Sequence, residues 1–299
     1  VIEIIALHAL WGTSIPMSKQ LLTYASPFLL TPIRLIVAGI VLLLVNLVRN
    51  QKTWITSPRF WLYNSQVIIA VYAKYMLRYW GLDHMPASKL AFLLSLAPFV
   101  TAFFSFIVFK ERLSKKQWLG LLIGFCGMIP IIITSSPSEQ VVGEFFYISW
   151  AELAVFAAVC INSYAMIFSR ILIRDHGQSV ILSNSVRMLG AGILAAFTLC
   201  FVDVPLTITE VGPFVGWLSL LIVTSNVICH NFHLYLYKFY TPTFLSFTDF
   251  LSLLFTALYS VIFLHEAFTW HYAASAAIIF AGLYIFYQDE LKMIYIKPV

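Results

Sequence analysis

Residues 90–127 read LAFLLSLAPFVTAFFSFIVFKERLSKKQWLGLLIGFCG, and the first twenty of them carry no charge. A helix crossing the ~30 Å hydrocarbon core of a bilayer needs ~20 such residues. The stretch therefore reads as one span, a short basic turn, and the start of a second span. A transmembrane barrel would alternate apolar and polar residues in ~10-residue strands, and this run does not alternate. The whole chain agrees: 61% of 299 residues are apolar and 10% are charged, against about 25% charged in soluble domains. The fold class expected is an all-α integral membrane protein.

The same stretch occurs a second time. Laid over residues 245–282, a shift of 155, it repeats Leu90/Leu245, Phe92/Phe247, Leu96/Leu251, Thr101/Thr256, Ala102/Ala257, Ser105/Ser260, Ile107/Ile262, Glu111/Glu266, Ile123/Ile278, Phe125/Phe280 and Gly127/Gly282. Apolar composition does not account for Thr101, Ser105 and Glu111 together. Nearby shifts pair Arg34, Ala38 and Gly39 with Arg187, Ala191 and Gly192, and Ser18-Lys19 with Ser169-Arg170. Working outward, spans fall near 3–23, 27–48, 60–82, 86–109, 115–134, 148–171, 178–201, 213–238, 242–264 and 270–287. The polar segment 134–144 reads as a linker. Two repeats of five spans follow, 1–137 and 138–299, forming one transport unit. Because five is odd, the second repeat enters the membrane inverted, an arrangement characteristic of secondary transporters.

Loop charge sets the expected orientation. Arg49, Lys52, Arg59, Lys110, Arg112, Lys115, Lys116, Arg170, Arg174, Lys238, Lys292 and Lys297 all follow even-numbered spans or sit in the C-terminal tail. Both termini are expected in the cytoplasm, in a bacterial inner membrane. The four cysteines, Cys126, Cys160, Cys200 and Cys229, share no spacing and read as small buried thiols. No metal, cofactor or nucleic acid is expected. The expected partners are a small-molecule solute and the bilayer, with a homodimer left open.

These residues resemble the EamA-type drug/metabolite transporters over essentially the whole chain. The resemblance rests on Trp11-Gly12 with Lys19, Ser26-Pro27 with Arg34, Pro98, the segment Phe109-Lys110-Glu111-Arg112-Leu113-Ser114, Trp118-Leu119-Gly120, and Gly127. The second repeat departs, with Leu253 in place of the proline and no Trp-Gly in span six, while His265-Glu266-Ala267-Phe268 keeps the glutamate. The resemblance implies ten helices in two five-helix repeats and transport rather than catalysis.

Charges inside lipid cost several kcal/mol, so each asks for a partner or a cavity. Lys74 and Arg78 share one face of span three beside Tyr75 and Tyr79, and Lys89 enters span four from the same side. An anionic group of a solute would join them. Span eight places Asn226, His230 and His233 on one stripe. Span nine places Asp249, Ser252 and Thr256 on another, and Asp249 meets only Leu94 in the repeat register. Asp249 can bind a cation, carry a proton, or pair with Lys74 or Arg187; Glu152 is a second candidate for proton coupling. Arg34 and Arg187, being repeat partners, read as structural, as do Glu111 and Glu266 beside helix N-termini. Pro16 kinks span one, and the matching polar stretch of span six holds Asn162 and Tyr164. Trp11, Tyr72, Tyr75 and Tyr164 offer aromatic faces for flat rings and cations.

The expected function is a secondary transporter of a small polar or zwitterionic metabolite, working by alternating access. S-adenosylmethionine, which some members of the resembled superfamily carry, is the leading specific solute, ahead of plain amino acids. A carrier of anionic phosphorylated metabolites, a membrane-embedded enzyme, and a non-transporting membrane protein are the alternatives.

Overall fold

A computed structural model describes residues 2–49, 58–84, 93–134, 150–202, 206–264 and 270–296. Every regular element among them is helical. In chain order these are α1 (Ile2–Gly12), α2 (Ser14–Leu22), α3 (Pro27–Val48), α4 (Pro58–His84), α5 (Ala97–Phe109) and α6 (Lys115–Thr134). Then come α7 (Trp150–Asp175), α8 (Val180–Thr198), α9 (Val211–Leu236), α10 (Pro242–Leu264) and α11 (Trp270–Ile296). Helices α3, α7, α8 and α9 are each long and apolar enough to cross a membrane. Their outward faces are apolar too: Ile40, Leu44, Ile193, Phe197 and Val223 are exposed, as is Phe103 on α5. Arg34, Asn184 and Asn226, by contrast, are buried. Apolar outside and polar inside is the arrangement that lipid selects.

Small residues let the helices approach. Where α3 crosses α8, a Cβ on Gly39 would stand 2.8 Å from the Leu189 backbone nitrogen, and one on Gly192 would stand 2.9 Å from that of Ile36. Where α6 crosses α11, a Cβ on Gly120 would lie 2.6 Å from the Gly282 carbonyl oxygen, and the converse distance is also 2.6 Å. Backbone contact of this kind takes the place of the hydrophobic drive that lipid removes. Further pairings include α4 with α7 and α8, α1 with α9 and α10, and α5 with α7 and α10.

Span one is broken, as Pro16 implies. Helix α1 stops at Gly12 and α2 starts at Ser14. Proline has no N–H for the carbonyl four residues earlier, and here that carbonyl, on Gly12, accepts instead from Thr256 Oγ1 at 2.9 Å. Tyr259 Oη donates to the Ala9 carbonyl at 2.9 Å. The kink is thus tied to α10.

Two expectations need correction. Glu111 does not cap α6, because Ser114 and Gln117 do so reciprocally. The Gln117 N–H donates to Ser114 Oγ (3.1 Å) and the Ser114 N–H to Gln117 Oε1 (2.9 Å), a capping box. Glu111 instead takes a 2.6 Å ion pair from Arg170 at the end of the α-helical part of α7. Asn226, His230 and His233 do not form one stripe either. Helix α9 widens to π turns over Ile222–Cys229, which breaks the i, i+4 register. Lys89, Glu266 and nearly all of the 134–144 linker lie outside the described residues.

Candidate functional site

The kink brings α1 and α10 together around one acid and one imidazole. His8 is fully buried. Its Nδ1 lies 2.7 Å from Ser252 Oγ and its Nε2 lies 2.8 Å from Thr248 Oγ1. Residues 248 and 252 are one turn apart, so a single helical face holds both ring nitrogens. Asp249 Oδ1 is 3.9 Å from His8 Nδ1. Thr248 and Phe250 on either side are each 1% exposed, yet the Asp249 side chain is 40% exposed. The Asp249 carboxylate is thus accessible between two buried neighbours, and the space it borders is here called the opening.

Trp11 forms the aromatic wall. Its ring stacks on His8 at 6.1 Å and meets the edges of His230 at 4.9 Å and His233 at 5.2 Å. His233 in turn meets Tyr237 at 5.3 Å.

A basic cluster lies within range of Asp249. Tyr75 is its centre: Lys74 Nζ lies 4.8 Å from the ring centroid and the Arg34 guanidinium 6.0 Å. Lys74 also feels the charges of Arg187, Arg78 and Arg34. Lys74 and Arg78 lie near enough for their charges to act on Asp249, and Arg187 and Lys74 near enough to act on His230 and His233.

Arg34 is committed to packing. Its Nε donates to Asn226 Oδ1 at 2.9 Å and its Nη2 to Ser225 Oγ at 3.0 Å. The wide turns of α9 direct these two adjacent residues at one guanidinium. Asn226, also joined through its carbonyl to Asn184 Nδ2 at 3.2 Å, is fully buried. It stands behind the opening, whereas His230 faces Trp11.

Other candidates have partners elsewhere. Tyr72 Oη is 2.7 Å from Thr198 Oγ1. Tyr164 Oη donates to Gln66 Oε1 at 2.9 Å and packs on Phe168. Asn162 Nδ2 reaches the Met166 sulfur at 3.8 Å. Glu152 is buried in the first turn of α7, where a carboxylate complements the free N–H groups.

Comparison with known proteins gives the fold its family. The model of the EamA-like transporter family matches residues 1–133 and again residues 149–288. The chain belongs to the EamA-like transporter family. It is an integral membrane transporter. This EamA-like chain is 26% identical, over 96% of its length and 88% of the relative's, to the S-adenosylmethionine/S-adenosylhomocysteine transporter of Chlamydia trachomatis serovar L2. It is 27% identical to the transporter of the same name from Chlamydia muridarum, over 96% of its own length and 91% of that protein's. A protein of known crystal structure has the same fold, with a TM-score of 0.79 over 97% of both chains at 19% identity.

Sequence reasoning missed His8 in this EamA-like transporter. The available signal was an ionisable residue inside an apolar span, three positions before Trp11 on the same helical face. Tyr237 was missed as well; it lies within the fields of both Asp249 and Arg187, and from sequence it reads as an interfacial aromatic.

Proposed function

We propose that this protein carries S-adenosylmethionine, and the related S-adenosylhomocysteine, across a bacterial inner membrane by alternating access. The observation that carries the reading is the accessible Asp249 carboxylate within range of the Lys74 and Arg78 charges. A zwitterion satisfies both sides at once, with its cationic centre at Asp249 and its carboxylate toward the bases. Trp11 supplies a face for a cation or a flat ring. The names of the two chlamydial relatives support the same solute.

In this reading residues 1–137 and 138–299 are inverted five-helix repeats, ten spans in all, with both termini cytoplasmic. Reciprocal helix pairing supports it: α4 packs on α7 as α1 packs on α9, and α5 packs on α7 as α10 packs on α1. Lys74, Tyr75, Arg78, His230, Asp249 and Trp11 form the solute site, and His8 orients Asp249.

The test is uptake of labelled S-adenosylmethionine into proteoliposomes, with and without internal S-adenosylhomocysteine. Saturable uptake of chemically unchanged solute, accelerated by the internal partner, is expected. Uptake no greater than in empty liposomes would overturn the proposal.

A further inference from the structure

The repeat-related arginines do different work. Arg34 spends its Nε and Nη2 on Asn226 and Ser225 of α9 and is 5% exposed. Arg187 is only partly buried and, among the described residues, makes one hydrogen bond, from Nε to Asn184 Oδ1 at 2.9 Å on its own helix. Among the described residues neither of its terminal nitrogens has a hydrogen-bond acceptor. Bonding at Nε alone fixes the plane of the guanidinium and leaves Nη1 and Nη2 as an oriented pair of donors.

The surroundings of that fork say what it faces. Arg187 acts on Tyr75 and Tyr237, on Lys74, and on His230 and His233. Lys74 and Tyr75 come from α4, His230 and His233 from α9, and Tyr237 is the residue that follows α9. Tyr237 also feels Asp249, so the fork and the acid flank one buried tyrosine. The Lys74 ammonium, held over the Tyr75 ring, gives positive potential without a paired donor direction; a guanidinium fixed through Nε gives both.

We propose that Arg187 grips the carboxylate of the solute through Nη1 and Nη2, while Arg34 is its structural counterpart. This rests on the solute reading above. Two parallel charged hydrogen bonds match a carboxylate's two oxygens. A dianionic phosphate would meet Asp249 across Tyr237, which disfavours it.

The experiment measures binding of S-adenosylmethionine and of its decarboxylated analogue to purified wild type, Arg187→Gln, Arg187→Lys and Arg34→Lys. Wild type is expected to prefer the carboxylate-bearing solute by about 30-fold or more, the size expected of a charged, bidentate contact. In Arg187→Gln the preference falls below about 3-fold, because only the carboxylate-bearing ligand loses a contact. Arg187→Lys keeps the charge and loses the fork, so its ratio lies between. Arg34→Lys keeps the wild-type ratio. If Arg187→Gln does not fold, Arg187→Lys decides, and an unchanged ratio there overturns the proposal. Equal weakening of both ligands in Arg187→Gln, or a wild type that does not discriminate, overturns the role of Arg187 alone. A wild type that binds neither ligand overturns the solute reading and this inference with it.

Discussion

Two interfaces in this molecule are built to one plan and used differently. Gly12 on α1 rests against α10, and Ser163 on α7 rests against α5. A shift of 151, the one that pairs Ser18 with Ser169, also pairs Gly12 with Ser163. In each interface a repeat-related threonine makes the contact: Thr256 Oγ1 donates to the Gly12 carbonyl at 2.9 Å, and Thr101 Oγ1 donates to Ser163 Oγ at 2.9 Å. Around these shared contacts the chemistry diverges. His8, Thr248, Asp249 and Ser252 stand where the other interface has Val159, Leu93, Leu94 and Ala97. Packing is shared by the two interfaces, and ionisable chemistry is confined to one of them.

Replacing Asp249 with the leucine that its counterpart position carries tests that division most severely. Asp249→Leu is expected to reduce uptake of S-adenosylmethionine more than 100-fold while the protein remains folded, because it removes the only carboxylate brought to the opening among the described residues. Folding is checked by size-exclusion profile and melting temperature, and transport in proteoliposomes. Substantial remaining uptake would mean that the polar interface is incidental.

The second largest effect is on stability. Arg34→Gln strands Asn226 and Ser225 in a buried setting and removes two hydrogen bonds, costing about 2–4 kcal/mol. Thermal unfolding in detergent should show this as a clear fall in melting temperature, and Arg187→Gln should show a much smaller one. Equal falls would erase the distinction between the two arginines.

Smaller effects sharpen the shared packing. Thr256→Val leaves the Gly12 carbonyl without its donor, at about 1–2 kcal/mol. Thr101→Val should cost less, since Ser163 Oγ retains the Ala97 carbonyl at 3.5 Å. The difference in melting temperature between the two variants reads this directly. Smallest is Glu111→Gln, which weakens the partly exposed pair with Arg170 by about 0.5–1 kcal/mol. Its signature is a loss of salt sensitivity in the melting temperature.

How much of this was legible in the sequence follows from the range of each signal. The spans 27–48, 115–134 and 242–264 coincide with α3, α6 and α10, because apolar length and flanking turn residues are local. The break in span one was legible from Pro16, but the donor for its freed carbonyl was not, since Thr256 is 244 positions away from Gly12. Asp249 stood out because an acid in an apolar run is costly wherever it packs. The stripe of Asn226 with His230 and His233 failed because helical periodicity presumes α geometry, and the π turns of α9 violate it. Tyr72 and Tyr164 were chosen as aromatics on the right helices, but neither α4 nor α7 alone reveals that Thr198 and Gln66 would take their hydroxyls.

In the proposed site one opening holds an acid and bases that are satisfied together by a single solute. Binding of S-adenosylmethionine and of a sugar phosphate to wild type, Asp249→Asn and Lys74→Met tests it most directly. The account predicts that each substitution weakens S-adenosylmethionine binding by at least about tenfold, the ~1.4 kcal/mol of a single lost charged contact, and that wild type prefers it to the sugar phosphate. If only Lys74→Met weakens binding, and the sugar phosphate binds best, the opening is an anion site and the account is wrong.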